Sequence, residues 1–253
     1  MRIALHPHTH IPLNASGYEL AFGKPLDSSG NKRYRPDALC SVCNQGVYLR
    51  AEHSSETIPN FAHRRNSRFC PLKDFNAQAY RALNPAVANP AAAQQLKTAF
   101  FASWKHHWLE FDRIIKYASI KDFYAILNYA NQNRIWHYTG MQVQDVLAVL
   151  LTLMDFGPLP KNKRHLRDFG VRFLYQGTIA NTDQYWNLPA NQRQLLLVKY
   201  DFPGTTRSFQ EKNVSDRDIV TFDPIYMTGV YTGTPKVHGF VEDFMNEKFT
   251  NDL

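Results

Sequence analysis

Four residues in the first third of the chain have the types and the spacing of a metal site. Cys40 and Cys43 form a Cys-x-x-Cys pair, and His63 and Cys70 follow after gaps of nineteen and six residues. A Cys-x-x-Cys turn can direct two thiolates at one point, and a second pair on a returning segment would complete a tetrahedron. Thiolates are soft donors, so Zn²⁺ is the expected ion. Four protein ligands leave no position for water, so we predict a structural zinc site.

Alternative uses of these residues fit the sequence less well. All three cysteines fall between residues 40 and 70, which is unusual for thiols that are merely buried. A redox Cys-x-x-Cys is disfavoured because no βαβ pattern surrounds it. His53 is a rival fourth ligand, but its polar stretch AEHSSE is typical of an exposed turn. Disulfides are disfavoured because we expect a cytoplasmic protein, with no secretory signal and no apolar stretch of the roughly 20 residues that cross a bilayer.

Short strands are the elements that must position these ligands. The segment ALHPHTHIPLNASGYEL favours two short strands or a hairpin. VYLR favours a strand directly after the cysteine pair, and a turn around His53 to Glu56 would let IPNFAH return beside it. Residues 1–75 are therefore predicted to form a zinc-ribbon-like β module.

The middle of the chain, residues 76–160, is predicted to be helical. Apolar residues recur at helical spacing from Leu96 to Ile115, which predicts one long helix. A second helix is expected to begin at Ser119, with Asp122 in the capping-box position. A third follows Thr139, is stopped by Gly157-Pro158, and is apolar nearly all round, as is typical of a buried helix.

The last region, residues 161–253, is predicted to be rich in β-structure. Turn residues separate five strand-like segments, which are VRFLYQGTI, RQLLLVKYDF, DIVTF, IYMTGVYTG and KVHGFVEDF. Short strands with little helix between them indicate an antiparallel sheet, and an OB-like barrel is one form that it could take. The predicted fold class is thus α+β, with a zinc-ribbon-like module, a helical middle and a C-terminal antiparallel β region.

The stretch PDALCSVCNQGVYLR, followed by IPNFAHRRNSRFC, resembles the N-terminal module of the CoiA-like competence proteins. That family shows a strand pair, Cys-x-x-Cys, a short strand, a turn, an "HFAH"-type segment and a final Cys. Asn60-Phe61-Ala62-His63 fits that segment, with Asn60 in place of its first histidine. The resemblance covers about residues 1–75 and implies Cys40, Cys43, His63 and Cys70 as the ligands.

Many members of that family continue into a restriction-endonuclease-like nuclease domain, which needs an Asp followed by Glu-x-Lys on adjacent strands. The segment from Gln194 to Lys199 has no acid two residues before its lysine. Asp223 with Thr234-Pro-Lys236 also lacks the glutamate. The resemblance therefore does not extend to a nuclease site, and we predict no catalytic residues.

Positive charge is concentrated in the predicted module. The chain carries a net charge of +7, and eight basic against three acidic side chains in residues 31–73 account for +5 of it. Arginines between two metal ligands would be displayed on a fixed backbone, which lowers the entropy lost on binding phosphates. The candidate nucleic-acid contacts are Arg64, Arg65, Arg68, Lys73, Lys32, Arg33 and Arg35, together with Lys163 and Arg164 in a basic linker.

These features together predict a zinc-stabilised nucleic-acid-binding protein. DNA is the expected partner, in uptake, recombination, repair or defence, and no membrane is involved. One alternative is an interaction module that docks a protein of a multi-component DNA-processing or defence system. Another is a diverged metal-dependent nuclease whose acidic residues do not follow the expected pattern.

Overall fold

A computed structural model of the chain describes residues 1–68, 70–73, 80, 87–116, 118–159, 167–176, 179, 181–202 and 208–252. These residues form an α+β fold, which confirms the predicted class. Buried apolar side chains form one cluster that extends from the N-terminal strands through the helices to the C-terminal sheet. No helix in these described ranges is both long and apolar enough to cross a bilayer.

The N-terminal region is a five-stranded antiparallel sheet built from very short strands. Its spatial order is β2-β1-β3-β4-β5. The strands are β1 (Ala4–Leu5), β2 (Pro12–Leu13), β3 (Ala38–Leu39), β4 (Gly46–Arg50) and β5 (Asn60–His63). The predicted hairpin at the start of the chain is β1–β2, and the predicted return of IPNFAH beside VYLR is the β4–β5 pair. These strands place both halves of the predicted metal site at one end of the sheet.

Helix α1 (Ala15–Phe22) occupies the end of the segment that the sequence assigned to strands. Asn14 caps it, because the Asn14 side chain accepts a hydrogen bond from the Gly17 amide at 2.8 Å. Gly23 ends the helix with a positive φ of 79°. The strand prediction for ASGYEL was wrong because these local caps outweigh its weak alternation.

The middle region is helical, as predicted, but its first helix is broken. The helices are α2 (Pro90–Ala102), α3 (Trp104–Ile115), α4 (Ile120–Gln132) and α5 (Val146–Leu153). The break falls at Ser103, whose hydroxyl donates to the Ala99 carbonyl at 3.0 Å. A serine bonded back to the preceding turn bends a helix, which the apolar spacing alone could not indicate.

The other two helix predictions differ in accuracy. Ser119 caps α4 as expected, since its hydroxyl accepts from the Lys121 amide. Every residue of α5 is buried, which confirms a helix surrounded by other elements. However, α5 ends before Met154 rather than at Gly157-Pro158, because residues 155 and 156 form β6 (Asp155–Phe156) and pair with the next strand.

The C-terminal region contains a four-stranded antiparallel sheet with the order β6-β7-β8-β9. Its longer strands are β7 (Gly170–Tyr175), β8 (Gln194–Tyr200) and β9 (Val214–Thr221), and a short helix α6 (Asp183–Trp186) lies between the first two. Strands β6 and β9 are the edges of this sheet among the described residues, so the sheet is open. The suggestion of an OB-like barrel was therefore wrong.

Two predicted strands in this region are not strands. Residues 225–233 contain a 3-10 turn, Tyr226–Thr228, at whose start Asp223 accepts from the amides of Ile225 and Tyr226. Residues 236–244 lead into the C-terminal helix α7 (Gly239–Asp252). Among residues 239–248 of α7, Val241 and Met245 are the buried positions, a spacing of four that the shorter strand-like segment did not reveal.

Candidate metal centre

The first two thiols project from a tight turn between β3 and β4. The Cys40 amide donates to the Gln45 carbonyl at 2.8 Å, and the Asn44 amide donates to the Cys40 carbonyl at 2.9 Å. Asn44 has a positive φ of 55°, a conformation that asparagine tolerates better than most residues. The Val42 amide points at the Cys40 sulfur at 3.4 Å. This turn holds both sulfurs on the same side of the backbone.

The second pair of side chains is brought to that turn by β5 and the loop after it. His63 ends β5 and lies opposite Val47 on β4, a few residues beyond the turn. Cys70 follows the loop 64–68 and begins a 3-10 turn. The Lys73 ammonium closes this loop by donating to the Ser67 and Arg68 carbonyls at 3.2 and 3.1 Å.

The four side chains lie together as a metal-sized cluster. Their donor atoms are all within 4.8 Å of one another. The Cys40 and Cys70 sulfurs are 3.9 Å apart, and the Cys43 sulfur is 3.3 Å from His63 Nε2. Tetrahedral zinc places two sulfurs ~3.8 Å apart and a sulfur and a nitrogen ~3.6 Å apart. The donor set and its separations therefore fit one tetrahedral ion, with a contraction of at most about 1 Å on the widest edge.

The alternatives for these residues find no support in the geometry. His53 lies exposed in the turn after β4 and is not part of the cluster. The three cysteines are free thiols, with Cys40 and Cys70 buried and Cys43 partly buried. The structure thus brings together the four side chains that the sequence favoured.

Hydrogen bonds within the cluster shift the acidity of its members. Hydrogen bonds from Cys40, Cys70 and His63 lower the pKa of Cys43. Hydrogen bonds to Cys40 and Cys43, together with burial, raise the pKa of the Cys70 thiol. Burial is the largest single influence on His63 and lowers its pKa, but hydrogen bonds to Cys40, Cys43 and Glu211 together raise the pKa to about 11. Binding of a cation by these side chains would require the ligating sulfur and nitrogen atoms to lose their protons.

Two charged side chains from the C-terminal region contact the cluster, and no local sequence pattern predicts either of them. The Glu211 carboxylate lies 2.7 Å from His63 Nδ1. Arg217 on β9 donates to the Ser41 carbonyl inside the cysteine turn at 3.4 Å. Both lie about 150 or more residues from their partners in sequence, so only the tertiary fold identifies them.

The basic residues predicted to contact nucleic acid differ in how free their charges are. Arg65 and Arg68 are exposed and make no side-chain ion pair among the described residues. Lys32 and Arg33 are also exposed. Arg64 is 63% exposed and pairs with Asp37 at 2.7 Å. These five guanidinium and ammonium groups can all be reached by a partner.

The remaining candidates are engaged within the module or fall outside the described part of the chain. Arg35 forms a two-bonded ion pair with Glu52 at 2.6 and 2.7 Å, and both side chains are nearly buried. Lys73 is bound to the carbonyls of the loop, as described above. Lys163 and Arg164 lie outside the described residues. Arg167, at the end of the same linker, is fully buried and donates to the Gly157 carbonyl.

Lys199, which has no acid two residues before it in sequence, lies between two acids of the neighbouring strand. Its ammonium is 3.2 Å from the carboxylates of both Asp216 and Asp218 on β9. Because both acids lie on β9 and the lysine lies on β8, a Glu-x-Lys pattern within one strand does not include them. The lysine and both acids form an ion-paired surface that is separate from the metal cluster.

Comparison with known proteins gives one match. The model of a family described as "Domain of unknown function (DUF7830)" matches residues 27–77, which include all four clustered side chains. No curated protein and no solved structure matches the chain significantly. The resemblance to the CoiA-like family stays a prediction.

Proposed function

We propose that the cluster of Cys40, Cys43, His63 and Cys70 binds Zn²⁺ and that the ion is structural. The observation that carries this proposal is the convergence of three thiols and one imidazole nitrogen within 4.8 Å. Soft thiolates favour zinc over magnesium or calcium, which prefer oxygen ligands. Because four protein side chains complete the tetrahedron, the ion holds the fold and has no position for a reacting water.

We further propose that the module uses the loop 64–68 to bind the phosphate backbone of DNA. The loop is anchored at one end by His63 and at the other by Cys70, so its arginines are held on a fixed backbone. It borders an open groove of about 440 Å³ lined by Gln45, Asn66 and Arg68 among others. Arginine forms paired hydrogen bonds with phosphate, and a loop that is already ordered loses little entropy on binding.

Aromatic side chains near these charges support contact with bases as well as phosphates. Tyr34 is 90% exposed and directly follows Lys32 and Arg33. Tyr48 is partly exposed, and the Arg64 guanidinium lies over its ring at 5.5 Å. An exposed tyrosine beside arginines is a platform on which an unpaired base can stack.

A salt titration of DNA binding tests the second part of the proposal. The double variant Arg65→Ala/Arg68→Ala should bind more weakly, and the slope of log K against log salt should fall by about 2, since two phosphate contacts are lost. The control is Lys121→Ala/Lys236→Ala, which removes the same charge from two exposed lysines elsewhere and should keep the wild-type slope. Absence of salt-sensitive binding to any DNA or RNA would refute the proposal, and tighter binding of RNA would refute DNA as the partner.

Docking of a protein partner is a second candidate. The observation that favours it is a group of exposed apolar side chains on the module, Leu20 at 91%, Ile11 at 62% and Leu26 at 50% exposure. Association through these side chains would persist at high salt and be lost in Leu20→Lys. DNA binding would show the opposite dependence on salt.

A further inference from the structure

The carboxylate of Glu211 is the nearest charged neighbour of the proposed metal ligand His63. One of its oxygens lies 2.7 Å from His63 Nδ1 and 3.3 Å from the His63 backbone nitrogen. The imidazole side chain is only 1% exposed, and Glu211 is 18% exposed. Because an ionised carboxylate can only accept a hydrogen bond, Nδ1 is the donor in this pair, which leaves Nε2, on the side of Cys43, as the nitrogen that can ligate an ion.

The turn that carries Glu211 belongs to the C-terminal sheet. Glu211–Asn213 is a 3-10 turn that runs directly into β9. Asn213 is buried, its carbonyl accepts from the Asp201 amide at 2.9 Å, and its side chain donates to the Ser208 carbonyl at 2.8 Å. The backbone that carries the carboxylate is therefore held by the C-terminal sheet, whereas the four proposed ligands belong to the N-terminal module.

Other contacts join the same two regions around the cluster. Arg217 on β9 donates to the Ser41 carbonyl, between the two cysteines of the turn. The Arg2 amide donates to the Val214 carbonyl at 2.8 Å, and its guanidinium pairs with Asp201 at 2.8 Å. Zinc with three thiolates carries a formal charge of −1, so the arginine from β9 also lies where positive charge is favourable.

We propose that Glu211 is a positioning residue for the metal ion and that metal binding is coupled to docking of the C-terminal sheet onto the N-terminal module. This inference rests on the proposed zinc site. A carboxylate bonded to the far nitrogen of a ligating histidine fixes the ring orientation and makes Nε2 a better donor. Because linkage is reciprocal, an ion that favours this arrangement also favours the docked position of Glu211 and its sheet.

Competition for zinc with a chelator of known affinity tests the positioning role. We expect Glu211→Ala to bind zinc 10–100-fold more weakly than wild type. Glu211→Gln keeps a hydrogen-bond acceptor without the charge, so its zinc affinity should lie between those of wild type and Glu211→Ala. The matched control is Lys212→Ala, which changes the exposed next residue of the same turn and should bind like wild type. With Co²⁺ in place of zinc, Glu211→Ala should also shift the visible absorption bands, which a general loss of stability would not do.

Amide hydrogen exchange tests the coupling between metal binding and docking of the C-terminal sheet. Removal of zinc from the wild-type chain should increase amide exchange in β8 and β9, although all four ligands lie far away in sequence. Glu211→Ala with zinc bound should show part of the same increase.

Different outcomes test the zinc site and the role of Glu211. Wild-type protein that binds less than half an equivalent of zinc would refute the zinc site itself. If wild type binds tightly, then Glu211→Ala affinity within twofold of wild type would overturn the positioning role. An equal loss in Lys212→Ala would overturn it too, because the turn and not the carboxylate would be responsible. Unchanged exchange in β8 and β9 after zinc removal would overturn the coupling.

Discussion

The two sheets of this protein are both antiparallel, but they are held together in different ways. In the N-terminal sheet three of five strands are only two residues long, and the β3–β4 turn and the end of β5 lie at a cluster of thiols and a histidine. In the C-terminal sheet three strands have six to eight residues, and β7 is buried along its whole length against α5. The comparison indicates that the proposed metal ion adds to apolar packing where the strands are short, because the buried side chains of the N-terminal strands already belong to the common core.

The largest effect should follow from loss of a metal ligand. Cys70→Ser should lose zinc and unfold residues 1–68, because structural zinc contributes an apparent ~10–16 kcal/mol in small zinc-dependent folds. Zinc analysis together with hydrogen exchange measured segment by segment checks this result. Ser41→Ala changes a non-ligand in the same turn and should retain both metal and protection. Increased exchange in β8 and β9 follows from the proposed coupling. Simultaneous loss of protection in α2 to α5 would contradict the comparison, because the N-terminal module and the helices would then unfold as one cooperative unit.

A cavity in the helical core should have a smaller effect that leaves the metal in place. Leu150 in α5 is fully buried, so Leu150→Ala should lower the free energy of unfolding by about 2–5 kcal/mol. Zinc content should stay at one equivalent per chain. Urea unfolding and metal analysis measure the two quantities, and Leu109→Ala, on the exposed side of α3, should cost less than about 1 kcal/mol. Release of zinc by Leu150→Ala would contradict the account, because the metal site of the N-terminal module would then depend on packing in the helical core.

Acid should weaken the helical region through His107. This ring is buried between Phe100, Ser103 and Tyr226, and burial lowers its pKa to about 3. An unfolded histidine titrates near 6.5. The folded state therefore binds fewer protons than the unfolded state between pH 6.5 and 3, and stability falls by about 1.4 kcal/mol for each pH unit within that window.

The histidine contribution can be isolated by substitution. His107→Phe should remove the loss of stability with falling pH between pH 6.5 and about 4. Above pH 7 the variant should show no new pH dependence of stability. Thermal unfolding of α2 to α4 followed by circular dichroism at several pH values provides the test. A slope unchanged by the substitution would show that another group causes the acid sensitivity.

The smallest effect on stability is expected at the proposed binding loop. Arg65→Ala/Arg68→Ala removes two exposed side chains without ion pairs among the described residues, so the free energy of unfolding should change by less than about 0.5 kcal/mol. Thermal unfolding with zinc bound measures this. A larger loss would mean that the arginines hold the module together, in which case their role in binding DNA would need to be tested by charge-preserving lysine variants.

Local sequence information was sufficient for the four clustered side chains and for the strands that carry them. The Cys-x-x-Cys spacing, the returning strand at Asn60–His63 and the cap at Ser119 each depend on residues close together in the chain. The break at Ser103 and the C-terminal helix were missed because side-chain hydrogen bonds and a longer apolar period override short patterns. Glu211 and Arg217 could not be predicted, since nothing in their local sequence records a contact made through tertiary structure.

The metal content and coordination of the purified chain test the central claim most directly. Elemental analysis combined with X-ray absorption at the zinc edge should give one zinc per chain, bound by three sulfurs at about 2.3 Å and one nitrogen at about 2.0–2.1 Å. Less than half an equivalent of zinc in protein purified without chelator, or a first shell dominated by oxygen, would contradict the account.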